Sequence, residues 1–144
     1  MSDHDDIQAI LTRYEDAIRD RDADAIVADY VDGAIGYDLA PPLVQGAPDA
    51  AGIRTWFDTW EDDLRVTHRD VHIFQDGDLA VHHCLQHMTG TSKDEGFISL
   101  WFRGTMALRR IHSAWKIAHI HTSVPMAMDG SGKALTDLEP ETKG

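Results

Sequence analysis

The chain has 144 residues, the usual size of one domain, and 42% of them are hydrophobic and 26% charged. Its formal net charge of −12 argues against a nucleic-acid partner and against docking on anionic lipid, because such a surface repels phosphate groups. The single cysteine, Cys84, excludes an internal disulfide. An acidic start and the absence of a long apolar run predict neither a signal peptide nor a membrane span, so the cytoplasm is the expected compartment.

Three helices are predicted in the first part of the chain. Apolar residues recur every three or four positions over residues 6–21, which indicates an amphipathic helix. A shorter helix carries residues 26–31 and ends at a following Asp-Gly pair. Residues 48–64 predict a third helix, with Trp56 and Phe57 on its apolar side.

Strands dominate the rest. A short strand is expected over residues 34–39, before Pro41-Pro42 stops it. Four long strands are predicted over residues 66–74, 79–91, 97–111 and 115–124. This order predicts an α+β fold: three N-terminal helices on the concave side of a cone-shaped, strongly curved antiparallel sheet. Residues 1–125 would form this domain, and residues 126–144 a polar tail.

The last strand carries the most specific motif. Residues 115–125, Trp-Lys-Ile-Ala-His-Ile-His-Thr-Ser-Val-Pro, resemble the W-x-I-x-H-x-H-x-S-x-P ending of SnoaL-like proteins in the nuclear transport factor 2-like superfamily, and also the association domain of calcium/calmodulin-dependent kinase II. Residues 37–43, followed by Gly46, are similar to a second SnoaL-like segment. The resemblance implies the cone fold, but its members include isomerases, cyclases, hydratases, binding proteins and assembly modules.

Ketosteroid isomerase belongs to the same superfamily and combines an aspartate base with an oxyanion hole that contains a tyrosine. The resemblance places Tyr14 at the tyrosine position and Asp38 at the general-base position. The third working position, a protonated aspartate, is not matched, because Thr105 and Met106 stand nearest to it. Leu39 and the two prolines are expected to wall Asp38 off from water, which would make it a better base. Core packing of Tyr14 and a solvated Asp38 are the simpler alternatives.

Polar residues on the last strand are further candidates. Strand alternation puts His119, His121 and Ser123 on one face with Trp115 and Ile117, and that face is expected to continue into the cone. Imidazole groups there could act as acid, base or hydrogen-bond donor. A buried structural histidine or a subunit interface is the alternative. In the first long strand, the same alternation predicts that His68, like His72, faces away from Val71.

Ligand contacts are assigned to Trp56, Phe57, Arg103 and Ser123. Trp56 or Phe57 would close part of the pocket wall, and an inward Arg103 would bind a carboxylate, whereas an outward one would face solvent. His83 and His87 share a strand face without a third ligand, so neither a metal nor another cofactor is predicted.

Two functional hypotheses follow. One is an enzyme of the isomerase, cyclase, hydrolase or lyase type, in which Asp38 moves a proton on a small hydrophobic substrate while Tyr14, His119 or His121 stabilises the developing oxygen charge. The other is a non-catalytic module that binds a small hydrophobic or carboxylate-bearing ligand, or that builds an oligomer. Residues 97–108 are apolar on both faces, so one face is free to contact a partner and a homodimer is expected.

Overall fold

Helices lie at the N-terminal end and a strand meander follows them, as predicted. The computed structural model describes residues 2–141. The elements in chain order are α1 (Asp3–Asp20), α2 (Ala23–Ala28), β1 (Tyr30–Tyr37), α3 (Ala50–Phe57), β2 (Arg65–Asp76), β3 (Leu79–Ser92), β4 (Gly96–Ile111) and β5 (Ala114–Ser123). Helix α1 begins with a capping box, in which Ser2 accepts from the amide of Asp5 and the Asp5 side chain accepts in return.

The five strands form one curved, unclosed sheet in the order β1-β5-β4-β3-β2. Strands β2 to β5 pair with their neighbours in antiparallel fashion, as a meander with short connections requires. Strand β1 adds to the edge parallel to β5, which differs from the antiparallel pairing expected throughout. Strand β1 lies beside β5 rather than beside β2 because the long connection through α3 lets it reach the far edge of the sheet.

Two apolar clusters hold the helices on the sheet. The first joins α1 to the turn-side ends of β3, β4 and β5, and its buried members are Ile7, Ile10, Leu11, Ala80, Met106, Leu108, Trp115 and Ile117. The second joins the helices to one another and to β2, and its buried members are Ala17, Ile18, Ala23, Ile26, Phe57, Trp60, Leu64 and Val66. Tyr30 packs against both clusters and therefore links them.

The ends of the second and third helices differ from the sequence-based prediction. The second helix ends before Tyr30, which begins β1 by pairing with Ile117 of β5. The third helix ends at Phe57 rather than at residue 64. Its end is fixed from outside, since the Arg21 guanidinium donates to the carbonyls of Phe57 and Trp60, each at 2.8 Å.

The first part of the C-terminal segment folds back and pairs with itself. Met126 and Ala134 form an antiparallel bridge, and the amide of Leu135 donates to the Pro125 carbonyl at 2.8 Å. The last three residues of the predicted tail, and Met1, lie outside the described residues. Among residues 2–141, the helices are all too short or too polar to cross a bilayer.

Candidate active site

The sheet has an inner face, turned toward the helices, and an outer face. The region between the helices and the inner face is called the cone. Alternate residues of β3 and β4 face inward and are buried, including His82, Cys84 and Gln86 on β3 and Gly104 and Met106 on β4. The polar atoms among them are the first indication of a site, because a core built only for stability would be apolar.

A bulge in β2 brings His68 into the cone. His68 pairs with Gln86 and His72 pairs with His83, but Asp70 and Val71 both lie opposite Cys84. Asp70 takes a φ of 53°, which accommodates the extra residue. The expectation that His68 and Val71 face opposite ways is therefore wrong: the bulge shifts the alternation, so that both residues face the helices while His72 faces outward.

His68 forms a carboxylate–imidazole pair with Glu15 of α1. Glu15 Oε2 lies 2.9 Å from His68 Nδ1 and also accepts from the His68 backbone amide at 3.0 Å. A carboxylate oxygen only accepts, so Nδ1 carries the proton and Nε2 keeps its lone pair. The side chain of His68 is only 3% exposed, and within residues 2–141 its Nε2 has no hydrogen-bond partner.

The electrostatics keep His68 neutral. Burial lowers the pKa of His68, and the hydrogen bond and charge of Glu15 oppose that shift without cancelling it. A neutral imidazole whose Nδ1 is held by a carboxylate has the form of a general base, since the proton it takes at Nε2 produces a cation that the carboxylate stabilises.

His82 lies deeper on the same face. It is 1% exposed, and in the described part of the chain neither of its ring nitrogens has a hydrogen-bond partner. Burial, with a smaller contribution from the nearby His68, lowers the pKa of His82 to about 4. His82 is therefore an uncharged group at neutral pH, able to donate one hydrogen bond and accept another. Such an unsatisfied pair of nitrogens costs stability, which favours a role in binding.

Two tyrosines face the cone, Tyr14 from α1 and Tyr30 from the first position of β1. The Tyr14 ring contacts His68 edge-on, with 6.1 Å between ring centroids. Burial, helped by the negative charge of Asp38, raises the pKa of Tyr14 to about 12. Burial also raises the pKa of Tyr30, and the neighbouring Tyr14 and Asp38 add to it. Both hydroxyls thus stay protonated at neutral pH and are available as hydrogen-bond donors.

Asp38 lies at the rim of the cone rather than inside it. Its Oδ1 accepts from the Thr122 hydroxyl at 2.9 Å and from the amide of Leu39 at 2.7 Å, and the residue is exposed. The predicted apolar wall is absent because Gly36 and Gln45 exchange two backbone hydrogen bonds, each 2.9 Å long, so the loop between them projects into solvent. Leu39, Pro41 and Pro42 are all exposed.

A second bulge, at Ala118, turns the histidines of β5 away from the cone. Leu108 pairs with Ile117 and Ala107 pairs with His119, so Ala118 is the extra residue. Beyond it, Thr122 faces inward and is buried, while His119, His121 and Ser123 face outward. The expectation that these three share a face with Trp115 and Ile117 is wrong for this reason.

The outward histidines have partners of their own. His119 and His121 pack edge-on against Tyr37, with ring centroids 4.7 and 5.5 Å away, and His119 Nδ1 lies 2.6 Å from the Ile35 carbonyl. Arg103 is also exposed on the outer face, where its Nε donates to Ser123 at 3.2 Å. The predicted ligand contacts of Arg103 and Ser123 are therefore separated from Tyr14 and Asp38 by the thickness of the sheet.

Trp56 and Phe57 are the last two residues of α3, and their role in a pocket wall stays a prediction. Phe57 is buried, and Trp56 packs on it with ring centroids 5.5 Å apart. Both belong to the cluster that Tyr14 contacts. Of the eight predicted site residues, the structure thus brings Tyr14, Asp38, Trp56 and Phe57 to the helix side and leaves the other four outside.

Glu15, Tyr30, His68 and His82 are the site residues that sequence reasoning missed. Glu15 directly follows Tyr14, and a carboxylate beside a candidate tyrosine is a detectable signal. His68 escaped detection because simple alternation assigned it to the wrong face. Across residues 2–141, no group of three or more His, Cys, Asp and Glu side chains is placed to hold a metal ion.

Comparison with known proteins identifies the family. The sequence profile of the SnoaL-like domain matches residues 7–127, which is most of the chain. The protein belongs to the SnoaL-like domain family. No curated protein matches the sequence significantly.

Solved structures give the same fold. An NTF2-like protein of unknown function from Pseudomonas putida aligns with a TM-score of 0.82 at 26% identity, over 97% of this chain and 99% of that one. A candidate dehydratase of the NTF2-like family from Streptomyces avermitilis aligns with a TM-score of 0.72 at 16% identity, over 87% and 97%. A ketosteroid isomerase-like protein from Erwinia carotovora gives 0.64 at 20%, over 82% and 92%. The chain is therefore a SnoaL-like protein of the NTF2-like, ketosteroid isomerase-like fold.

Proposed function

We propose that this SnoaL-like protein is a cofactor-independent enzyme that moves a proton on a small hydrophobic substrate held in the cone. The observation that carries the proposal is the Glu15–His68 pair, because its free nitrogen, His68 Nε2, is buried and has no partner in the described residues. Two of the aligned structures are named as a candidate dehydratase and as a ketosteroid isomerase-like protein, and removal of a proton from carbon is a step open to both types of enzyme.

The proposed step has defined participants. His68 Nε2 takes a proton from a carbon next to a carbonyl group, and the C–H electron pair moves to the carbonyl oxygen. The Tyr14 and Tyr30 hydroxyls donate hydrogen bonds to that oxygen as its charge develops. The imidazolium that forms is stabilised by Glu15. Return of the proton from His68 to a different carbon gives an isomerase. If a hydroxyl group on the neighbouring carbon takes this proton and leaves as water, while the electron pair of the enolate forms a carbon–carbon double bond, the reaction is that of a dehydratase.

Asp38 is the competing base, as the resemblance to ketosteroid isomerase implies. Its carboxylate already accepts two hydrogen bonds and is exposed at the rim, whereas His68 Nε2 is desolvated. Both hydrogen bonds fall on Asp38 Oδ1 and hold the carboxylate toward Thr122 and the Leu39 amide. We therefore assign the first proton transfer to His68 and give Asp38 a secondary role at the rim, in orienting the substrate or delivering a proton.

Hydrogen–deuterium exchange into β-tetralone tests this assignment without knowledge of the natural substrate. β-Tetralone is a small uncharged ketone with an acidic benzylic C–H, and exchange in D₂O is followed by proton NMR. We expect the wild-type protein to catalyse exchange. His68→Gln should lower the rate by about 100-fold or more, as for loss of a general base, and Glu15→Gln should lower it less.

Asp38→Asn is the matched variant, because it also replaces an ionisable group by an amide. We expect Asp38→Asn to retain more than about a tenth of the exchange rate. A large loss in Asp38→Asn with a small one in His68→Gln would reverse the assignment, and no exchange by the wild-type protein would count against the enzyme function.

We also propose that the protein is a homodimer joined through the outer face of the sheet. Large apolar side chains are exposed there, among them Phe74, Leu79, Val81 and Phe97. The Tyr37, His119 and His121 rings lie on the same face, and exposed apolar and aromatic side chains of this kind are what a second copy covers.

A further inference from the structure

We propose that the cone selects uncharged substrates and rejects those that carry a carboxylate or phosphate near the reacting carbon. This inference rests on the proposed function, and it names the substrate class of the same site. It replaces the sequence-based expectation of a carboxylate-bearing ligand, whose only support was an inward Arg103.

The first support is the placement of the positive charges. Within residues 2–141, every Lys and Arg side chain lies outside the part of the cone that His68 and Tyr14 line. Arg13, Arg19, Arg54, Arg69 and Arg110 pair with acidic residues at the surface. Arg21, Arg65 and Lys116 donate to backbone carbonyls. Lys93, Arg103, Arg109 and Lys133 are exposed on the outer face or in turns.

The second support is that the charged side chains nearest to His68 and Tyr14 are both acidic. Glu15 reaches into the cone beside His68, and Asp38 stands at its rim, near enough to raise the pKa of Tyr14. An anionic ligand would therefore enter a region that already holds two negative charges and, among the described residues, no positive one. Desolvating an anion without a counter-ion is unfavourable, and repulsion from Glu15 and Asp38 adds to that cost.

The third support is the chemical type of the buried polar groups that have no hydrogen-bond partner among the described residues. The unpartnered nitrogens of the buried His68 and His82 belong to rings that burial keeps neutral. Neutral donors and acceptors match the carbonyl and hydroxyl groups of an uncharged molecule, and the apolar cluster against which Tyr14 packs suits its apolar part. The substrate class is thus an uncharged, largely apolar ketone or hydroxyketone.

Binding of a matched pair of probes tests the inference independently of catalysis. β-Naphthol and β-naphthoate have the same ring system, but near pH 7 only the second is charged. Calorimetric titration of the full-length protein should show β-naphthol binding at least about tenfold more tightly than β-naphthoate. In Glu15→Gln/Asp38→Asn, which removes both negative charges, the ratio should fall to about threefold or less.

The variant Arg103→Gln shows whether any bound β-naphthoate lies on the outer face of the sheet or in the cone. β-Naphthoate affinity that disappears in Arg103→Gln belongs to the outer face and agrees with exclusion from the cone. β-Naphthoate affinity within about threefold of that for β-naphthol and unchanged in Arg103→Gln would overturn the inference, and so would a failure of the wild-type protein to bind β-naphthol. The proposed function fails separately, by the absence of exchange into β-tetralone.

Discussion

The histidine side chains on the inner face of the sheet have a different environment from those on the outer face. The inner face holds His68 and His82, which are buried and keep three ring nitrogens without partners in the described residues. The outer face holds five of the nine histidines of the sequence, namely His72, His83, His87, His119 and His121. These outer rings stack on aromatic neighbours or reach hydroxyl and carbonyl oxygens, as His87 does with Trp101 and Ser99.

The number of histidines in the sequence therefore says little about a functional site. The face of the sheet on which a histidine lies sets its burial and its hydrogen-bond partners. An imidazole with hydrogen-bond or stacking partners at the surface costs the fold little. A desolvated imidazole with an unpartnered nitrogen lowers the free energy of unfolding unless a ligand binds to that nitrogen. Two single-residue bulges, at Asp70 and at Ala118, assign the histidines of β2 and β5 to their faces.

His82→Phe should remove a pH-dependent loss of stability. The pKa of His82 falls from the ordinary 6.5 to about 4 on folding, so protonation favours the unfolded chain. The contribution of neutral His82 is complete above about pH 6.5 and is lost as the pH falls toward 4, by on the order of 3 kcal/mol in total. Urea unfolding at pH 7 and at about pH 4.5 should show a smaller drop in His82→Phe than in the wild type.

The control is His121→Phe, which makes the same replacement on the outer face. It should leave the pH dependence of the unfolding free energy as in the wild type. An equal effect of the two variants would mean that burial does not distinguish the protonation of inner and outer histidines.

Val81→Asp should weaken self-association. Val81 is 42% exposed on the outer face of β3, so a charge there opposes the proposed dimer without disturbing the core. We expect the dimer dissociation constant to rise by about tenfold or more, measured by analytical ultracentrifugation at micromolar concentration. Val44→Asp is the matched control, since Val44 is 55% exposed in the loop after β1. A wild-type protein that sediments as a monomer would contradict the dimer.

Asp70→Gly should be more stable than Asp70→Ala, by about 1 kcal/mol. Asp70 has a φ of 53°, in the left-handed region that glycine adopts freely and that alanine adopts at a cost. Thermal unfolding of the two variants measures the difference, and the common loss of the Arg69 ion pair cancels between them. Equal stability would show that the bulge relaxes when Asp70 is replaced, and would remove the physical reason for the inward direction of His68.

The element order was largely predictable from the sequence. The three-to-four spacing of apolar residues in α1 and the alternation in β3 and β4 each follow from burial of one side of a regular element. The ends of helices and strands were less predictable where a residue of another element fixes them. The end of α3 depends on Arg21, which lies 36 residues before Phe57 in the chain.

The site was predictable only in part. Tyr14 and Asp38 came from the resemblance of the chain to ketosteroid isomerase, and Trp56 and Phe57 from helical spacing. Glu15 and His68 could not be paired from sequence because 53 residues separate them. No local pattern marks the β2 strand as bulged, since the positive φ of Asp70 is a property of the folded ladder and not of the residues around it.

The order of helices and strands and the net negative charge follow from the sequence alone, because composition and periodicity are properties of short windows. The assignment of Tyr14 and Asp38 to functional positions follows from the resemblance to ketosteroid isomerase. The tertiary structure decided which polar groups meet. An extra residue in a strand shifts the alternation of side chains between its two ends, so the bulge at Asp70 lets His68 face the cone together with Val71, and the bulge at Ala118 turns His119 and His121 outward. Pairing between distant strands fixes those bulges, and only the folded chain contains that pairing.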